Sequence, residues 1–193
     1  MFDQLIQLDQ HLFFAINQGL ANPFFDWLMP LLRNRFFWVP LYLFLAVFLT
    51  RNYGLRGWRI LLFLLITFAV TDYLTASVIK PTVERLRPCN DPILKTEVRN
   101  LVACGSGYSF PSTHAANHFA IALFLIGMFY RRWKPILPLA VLWAASVCFA
   151  QVYVGVHYPL DVTFGALIGS ITGYMIAAIL KITQPFRKWN SGN

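Results

Sequence analysis

Residues 58–79 read WRILLFLLITFAVTDYLTASVI, and only Arg59 and Asp72 in that run carry charge. A bilayer core about 30 Å thick is crossed by roughly 20 apolar helical residues, so this stretch is long enough to span it. Backbone N–H and C=O groups find no water in lipid and must pair within the segment, which makes it a helix. Working outward, four more windows share its character: Phe36 to Thr50, His114 to Tyr130, Ile136 to Val154 and Val162 to Leu180. The first of these extends backward through Phe24 to Leu32 if Pro30, Arg33 and Arg35 are tolerated. The whole chain of 193 residues agrees, being 58% hydrophobic and only 12% charged. A soluble domain carries roughly a quarter of its residues as charges, and disordered, collagen-like or coiled-coil chains need polar or periodic bulk that 18 Phe and 6 Trp do not provide.

The predicted fold class is therefore an all-α integral membrane helical bundle of about five to six transmembrane helices. Residues 3–19 alternate Leu5, Ile6, Leu8, Leu12, Phe13 and Ile16 with Asp3, Gln4, Gln7, Asp9, Gln10 and Asn17. That pattern predicts an N-terminal amphipathic helix in the interface plane, within an interfacial segment 1–35, rather than another span. Nothing in it resembles a cleavable secretory signal, since the basic start and small-residue cleavage site are missing. We expect one membrane-embedded domain over residues 1–193, with no internal repeat; oligomeric state does not read from the sequence.

The net charge of +8 is placed with a bias. Connector 51–59 holds Arg51, Arg56 and Arg59, connector 131–135 holds Arg131, Arg132 and Lys134, and the tail holds Lys181, Arg187 and Lys188, with no acidic residue among them. Short basic loops stay in the cytoplasm, which puts residues 80–111 and 155–160 on the extracytoplasmic side. Orientation accounts for the charge, and no nucleic-acid partner is implied.

The outward connector 80–111 is too long for a mere linker and carries Lys80, Glu84, Arg85, Arg87, Asp91, Lys95, Glu97 and Arg99. It leads into Pro111-Ser112-Thr113-His114, where Ser112 or Thr113 is placed to cap a helix whose free N–H groups attract anions. After the next span returns to the same face come His157 and, four residues on, Asp161. Three separate segments thus gather Lys80, Arg85, Arg87, Ser112, His114, His157 and Asp161. Cations and a helix start suit a phosphate. One histidine, held in a single tautomer by a carboxylate at the same-face spacing, is able to attack phosphorus, while the other protonates the leaving oxygen.

These residues carry a family resemblance. The chain resembles the type 2 phosphatidic acid phosphatases, the membrane branch of a superfamily that also includes soluble vanadium haloperoxidases. Lys80 with Arg87 and Pro88 matches the first motif, Pro111 to His114 the second with Thr113 in place of Gly, and His157 with Asp161 the third. In the third, Ala150 and Gln151 stand where the family has Ser and Arg. The resemblance implies metal-independent hydrolysis of a lipid phosphate through a phosphohistidine, without a cofactor. His157 would be the nucleophile, Asp161 its orienter and His114 the general acid; Lys80, Arg87, Ser112, Thr113 and Gln151 would bind phosphate. It also implies a multi-pass protein of a bacterial inner membrane, with 80–111 as the active-site loop and undecaprenyl diphosphate as first candidate substrate. Lipid A, phosphatidylglycerol phosphate and phosphatidic acid stay open, as do phosphate transfer and a weakly catalytic lipid-phosphate-binding protein.

Gln151 removes one cation, for which Arg85 or Arg99 is the expected replacement. Thr113, being β-branched, is not expected to adopt φ > 0. Asp72 is expected to make a structural hydrogen bond or pair toward Lys80, and Asn117 and His118 to hydrogen-bond inside the bundle. Cys89 and Cys104 share the outer connector, where an oxidising compartment would bridge them. Cys148 reads as a small apolar filler.

Overall fold

The computed structural model describes residues 2–183, so Arg187 and Lys188 of the basic tail lie outside the described residues. All described regular structure is helical. In order these are α1 (Phe2–Asn17), α2 (Pro23–Arg33), α3 (Val39–Tyr53), α4 (Leu55–Asp72), α5 (Lys80–Val83), α6 (Thr113–Phe129), α7 (Ile136–Tyr153) and α8 (Pro159–Thr183). A π-helical stretch, Tyr73–Ile79, joins α4 to α5 into one run that delivers Lys80 to its far end. Along this run Thr67, Thr71 and Thr75 each bond back to the carbonyl four residues earlier, at 2.7, 2.8 and 2.9 Å. Such back-bonding satisfies hydroxyls in an apolar setting.

Four runs are long and apolar enough to cross a membrane: Arg35–Tyr53, Leu55–Val83, Ile136–Tyr153 and Pro159–Thr183. The shorter apolar helix α6 has 17 residues. Most of it is buried among its neighbours. Outward-facing positions such as Phe44, Leu62, Leu65, Leu142 and Leu167 are exposed and apolar, as a lipid-facing surface requires. The backward extension of the first window is a separate helix. Asn34 breaks it with extended backbone, and its side chain accepts from the Phe36 N–H at 2.9 Å to start the next turn.

Helix α1 is amphipathic but also carries polar contacts inward. Its polar residues do not all face water: Asp9 and Asn17 are buried, and the helix packs against α7 and α8. Asn17 donates to the Arg99 and Tyr153 carbonyls at 2.9 and 2.8 Å and accepts from the Arg99 N–H at 3.0 Å. It thereby ties α1 to the outer connector and to the end of α7.

The most extensive helix contact is between α6 and α8. Gly165, Gly169 and Gly173 lie against Ser112, Ala116 and Ala120, the same four-residue step on both helices. A Cβ at Gly169 would fall 2.0 Å from the Ala116 carbonyl oxygen, and no rotamer relieves a clash with backbone. Small residues let helices approach this closely without a hydrophobic driving force. Gly169→Leu is expected to lower the thermal midpoint in detergent, as overpacking by about 1–3 kcal/mol or more would. Gly107→Ala, where an added Cβ meets nothing within 4 Å, is expected to leave it unchanged.

This seam fixes the starts of α6 and α8 side by side. The opposite ends gather Tyr53 against Phe129, with ring centroids 5.7 Å apart, and Arg131 near Lys181. The basic connectors and the motif residues therefore occupy opposite ends of the bundle.

Candidate active site

Ser112 begins α6 as its N-cap, accepting from the Ala115 N–H at 3.4 Å, and its own N–H donates to the Asp161 carbonyl at 2.9 Å. Thr113 follows without positive φ, as its branched side chain requires, and receives a hydrogen bond from Thr75 at 3.3 Å. His114 is half-buried one residue on and neighbours His157. His118, one turn later, points its Nδ1 to the His114 carbonyl at 2.8 Å and its Nε2 to the Tyr42 hydroxyl at 3.4 Å. Asn117 donates to Asp72 at 2.8 Å. Both serve the bundle interior.

His157 sits in the short link between α7 and α8, almost wholly buried. Its Nδ1 faces Asp161 Oδ2 at 3.5 Å, and its Nε2 faces Arg87 Nη1 at 3.4 Å. The two ring nitrogens thus look in different directions, one to a carboxylate and the other to a cation. Asp161 is fully buried and held by three donors: Oδ1 accepts from Arg85 at 2.7 Å, and Oδ2 accepts from the Tyr158 N–H at 2.8 Å and from the Ser109 hydroxyl. Arg85 also bonds Asp9 of α1 at 2.6 Å and lies 4.0 Å over the Tyr158 ring. Asp9 completes its shell by accepting from the Leu160 N–H at 2.8 Å.

The cations divide by their partners. Arg85 is shared between two buried carboxylates, and Arg99 is held by Asp26 at 2.9 Å and by the Asn17 carbonyl. Neither stands in for the missing cation of position 151, because each is already neutralised. By contrast, Lys80 donates to the Tyr108 and Ser109 carbonyls, at 2.6 and 3.2 Å. Arg87 donates to the Gly107 and Val156 carbonyls, at 2.8 and 3.3 Å. Gln151 is fully buried, and its Oε1 accepts from Arg33 Nε of α2 at 3.2 Å. Among the described residues no carboxylate pairs with Lys80, Arg87 or Arg33. Neutral carbonyls leave their charges available to an anion.

Burial pushes the His157 imidazole down to about 4, against the pull of Asp161, so the ring is neutral at physiological pH. Arg87 is lowered by burial and by the neighbouring charge of Arg33. Asp9 is raised, mainly by burial. A histidine that resists protonation when folded accepts a proton when unfolded, so the fold loses stability as pH falls from the ordinary value of about 6.5 toward the folded value. The thermal midpoint of the wild type is therefore expected to fall faster over that window than that of His157→Asn. Parallel curves for the two proteins would show that this ring is not held neutral.

The connector between α5 and α6 carries much of the site without regular structure. Cys89 and Cys104 form a disulfide, with Cα atoms 6.0 Å apart, and Asn90 donates to the Gly105 carbonyl at 3.0 Å. A bridge closing a loop of this size contributes about 3 kcal/mol by chain entropy. Among the described residues no group of three or more His, Cys, Asp or Glu is arranged to hold a metal ion. All eight residues singled out from the sequence, namely His157, His114, Asp161, Lys80, Arg87, Ser112, Thr113 and Gln151, belong to this end of the bundle. The sequence reading missed Asp9, Arg33 and Ser109. Asp9 left a signal as an acidic residue set among the apolar positions of α1, and Arg33 as an interruption of the run that becomes α2.

One end of this helical membrane bundle gathers two histidines, a buried aspartate and cations that no carboxylate among the described residues pairs with, the set expected of a membrane phosphatase. The chain belongs to the PAP2 superfamily, matching it over residues 56–184. It is 35% identical over 184 residues to the lipid A 4'-phosphatase of Bacteroides thetaiotaomicron, covering 91% of this chain and 78% of that one. It is 32% identical over 160 residues to the undecaprenyl-diphosphatase of Sulfolobus acidocaldarius, covering 80% and 68%. Among solved structures, the transmembrane PAP2-type phosphatidylglycerolphosphate phosphatase of Bacillus subtilis shares the fold with a TM-score of 0.74 at 23% identity, over 95% of this chain and 90% of that one. The chain is thus a membrane-bound phosphatase by family.

Proposed function

We propose that the chain hydrolyses the phosphate of a membrane lipid through a phosphohistidine at residue 157. The observation that carries the reading is His157 itself, with Nδ1 toward Asp161 and Nε2 toward Arg87 among cations that no described carboxylate neutralises. Asp161 holds the Nδ1 proton, which leaves the lone pair on Nε2 directed at the phosphate. Nε2 attacks phosphorus, the bond from phosphorus to the lipid oxygen breaks, and His114 gives its proton to that oxygen. Water then attacks phosphorus, His114 takes the water's proton, and the phosphorus–nitrogen bond breaks to release phosphate and restore His157. Lys80, Arg87, Ser112, Thr113 and Gln151 surround the equatorial oxygens, where charge accumulates in the transition state.

For the substrate, the extent of similarity to a lipid A 4'-phosphatase, over 91% of this chain, favours a lipid A phosphate. That displaces undecaprenyl diphosphate as first candidate, though the likeness to an undecaprenyl-diphosphatase over 80% of the chain keeps it as the second reading. With the basic connectors in the cytoplasm, the site works at the extracytoplasmic face of a bacterial inner membrane.

The test is phosphate release by purified protein in detergent with EDTA present, across lipid A, undecaprenyl diphosphate, phosphatidylglycerol phosphate and phosphatidic acid. Release should survive EDTA and be fastest from lipid A. Release only from the diphosphate would move the assignment to the second reading, and release abolished by EDTA would contradict the mechanism.

A further inference from the structure

We infer that Arg33, from the last turn of α2, is the third phosphate-binding cation of the site, acting from a part of the chain outside the three motifs. The inference rests on the proposed phosphate site and adds to it a residue that none of the motifs contains. Position 151 is buried at the end of α7 and holds a neutral amide. Arg33 reaches that amide from another helix, Nε to Oε1 at 3.2 Å. One guanidinium edge is spent on Gln151, and the charge itself meets no carboxylate among the described residues. Arg33 neighbours both Arg87 and His114.

A half-buried cation facing another cation is costly unless an anion joins them. Gln151 supplies a second sign that a ligand belongs here: its Nε2 is buried and has no hydrogen-bond partner. Buried amide donors are rarely left unpaired, and a phosphate oxygen between Arg33 and this amide would satisfy both. The local frame holds Arg33 in place. Trp38 Nε1 donates to the Leu32 carbonyl at 2.8 Å, and Tyr153 of α7 donates to Asp26 of α2 at 2.6 Å. With Lys80, Arg87, Arg33 and Arg85 set against Asp9 and Asp161, positive charge is in excess by the amount that a phosphate dianion would balance.

The experiment measures inhibition of the full-length enzyme by inorganic phosphate, together with kcat and KM on the best lipid substrate, for Arg33→Met, Arg33→Lys and Arg33→Met with Gln151→Arg. His157→Ala serves as control, and gel filtration and circular dichroism check folding. Arg33→Met should weaken phosphate inhibition by about 30-fold or more, the scale of removing one member of a buried charge-assisted contact. Arg33→Lys should lose less, and Gln151→Arg should restore most of the loss by returning the charge from α7. Inhibition unchanged within about twofold in Arg33→Met, with His157→Ala inactive, would overturn the role of Arg33 and leave the site standing. Weakened inhibition that is improved neither by keeping the charge, as in Arg33→Lys, nor by the second-site arginine would assign Arg33 a packing role and also overturn it. Full activity in His157→Ala would instead overturn the site on which the inference rests.

Discussion

His157→Ala is expected to lower kcat/KM for lipid phosphate release by ~10⁵-fold or more, the scale seen when a covalent nucleophile is removed from a preorganised site. Its ring lies between Asp161 and Arg87, so in the proposed reaction truncation removes the atom that attacks phosphorus. The loss should appear in kcat, because Lys80 and Arg87 remain to bind the phosphate. His114→Ala is expected to cost less, about 10²–10⁴-fold, as for a general acid whose task water partly performs. Steady-state release in detergent, with folding checked separately, measures both. Equal losses in KM alone would mean that the histidines bind the phosphate without reacting.

The second large effect is on stability. Arg85→Met is expected to destabilise the protein by about 3–5 kcal/mol, because removing one partner from a buried ion pair leaves the other charge uncompensated. Here two carboxylates lose their partner at once, Asp9 at 2% exposure and Asp161 at 0%. Pairing the change with Asp9→Asn should recover part of the loss, since only Asp161 then remains unneutralised. Thermal or denaturant unfolding of wild type and both variants in one detergent measures this. A midpoint unchanged in Arg85→Met would contradict the network. Because Arg85 and Ser109 both hold Asp161, the variant should also lose activity even where folded.

Much of this arrangement was legible in the chain. The spans follow from apolar runs long enough for a bilayer, and each expected window overlaps a helix of the bundle. His114, His157 and Asp161 stood out because helix ends and spacing of four residues bring chemistry to one face. Other features were hidden for physical reasons. Asp9 is separated from Arg85 by 76 residues, so nothing local marks the pair. Arg33 read as an interruption of an apolar run, since its value depends on α2 folding back against α7. Arg85 and Arg99 appeared available because a sequence counts charges but not their partners. The glycines of α8 were visible, yet their purpose depended on which helix approached them.

In the proposed reaction the phosphoryl group passes through His157. The most direct measurement is mass spectrometry of enzyme quenched in alkali during turnover of lipid A, followed by proteolysis. The expected product is a peptide carrying one phosphoryl group on His157, labile to acid and absent from His157→Ala. A phosphoryl group on any other residue, or undiminished turnover by His157→Ala, would contradict it.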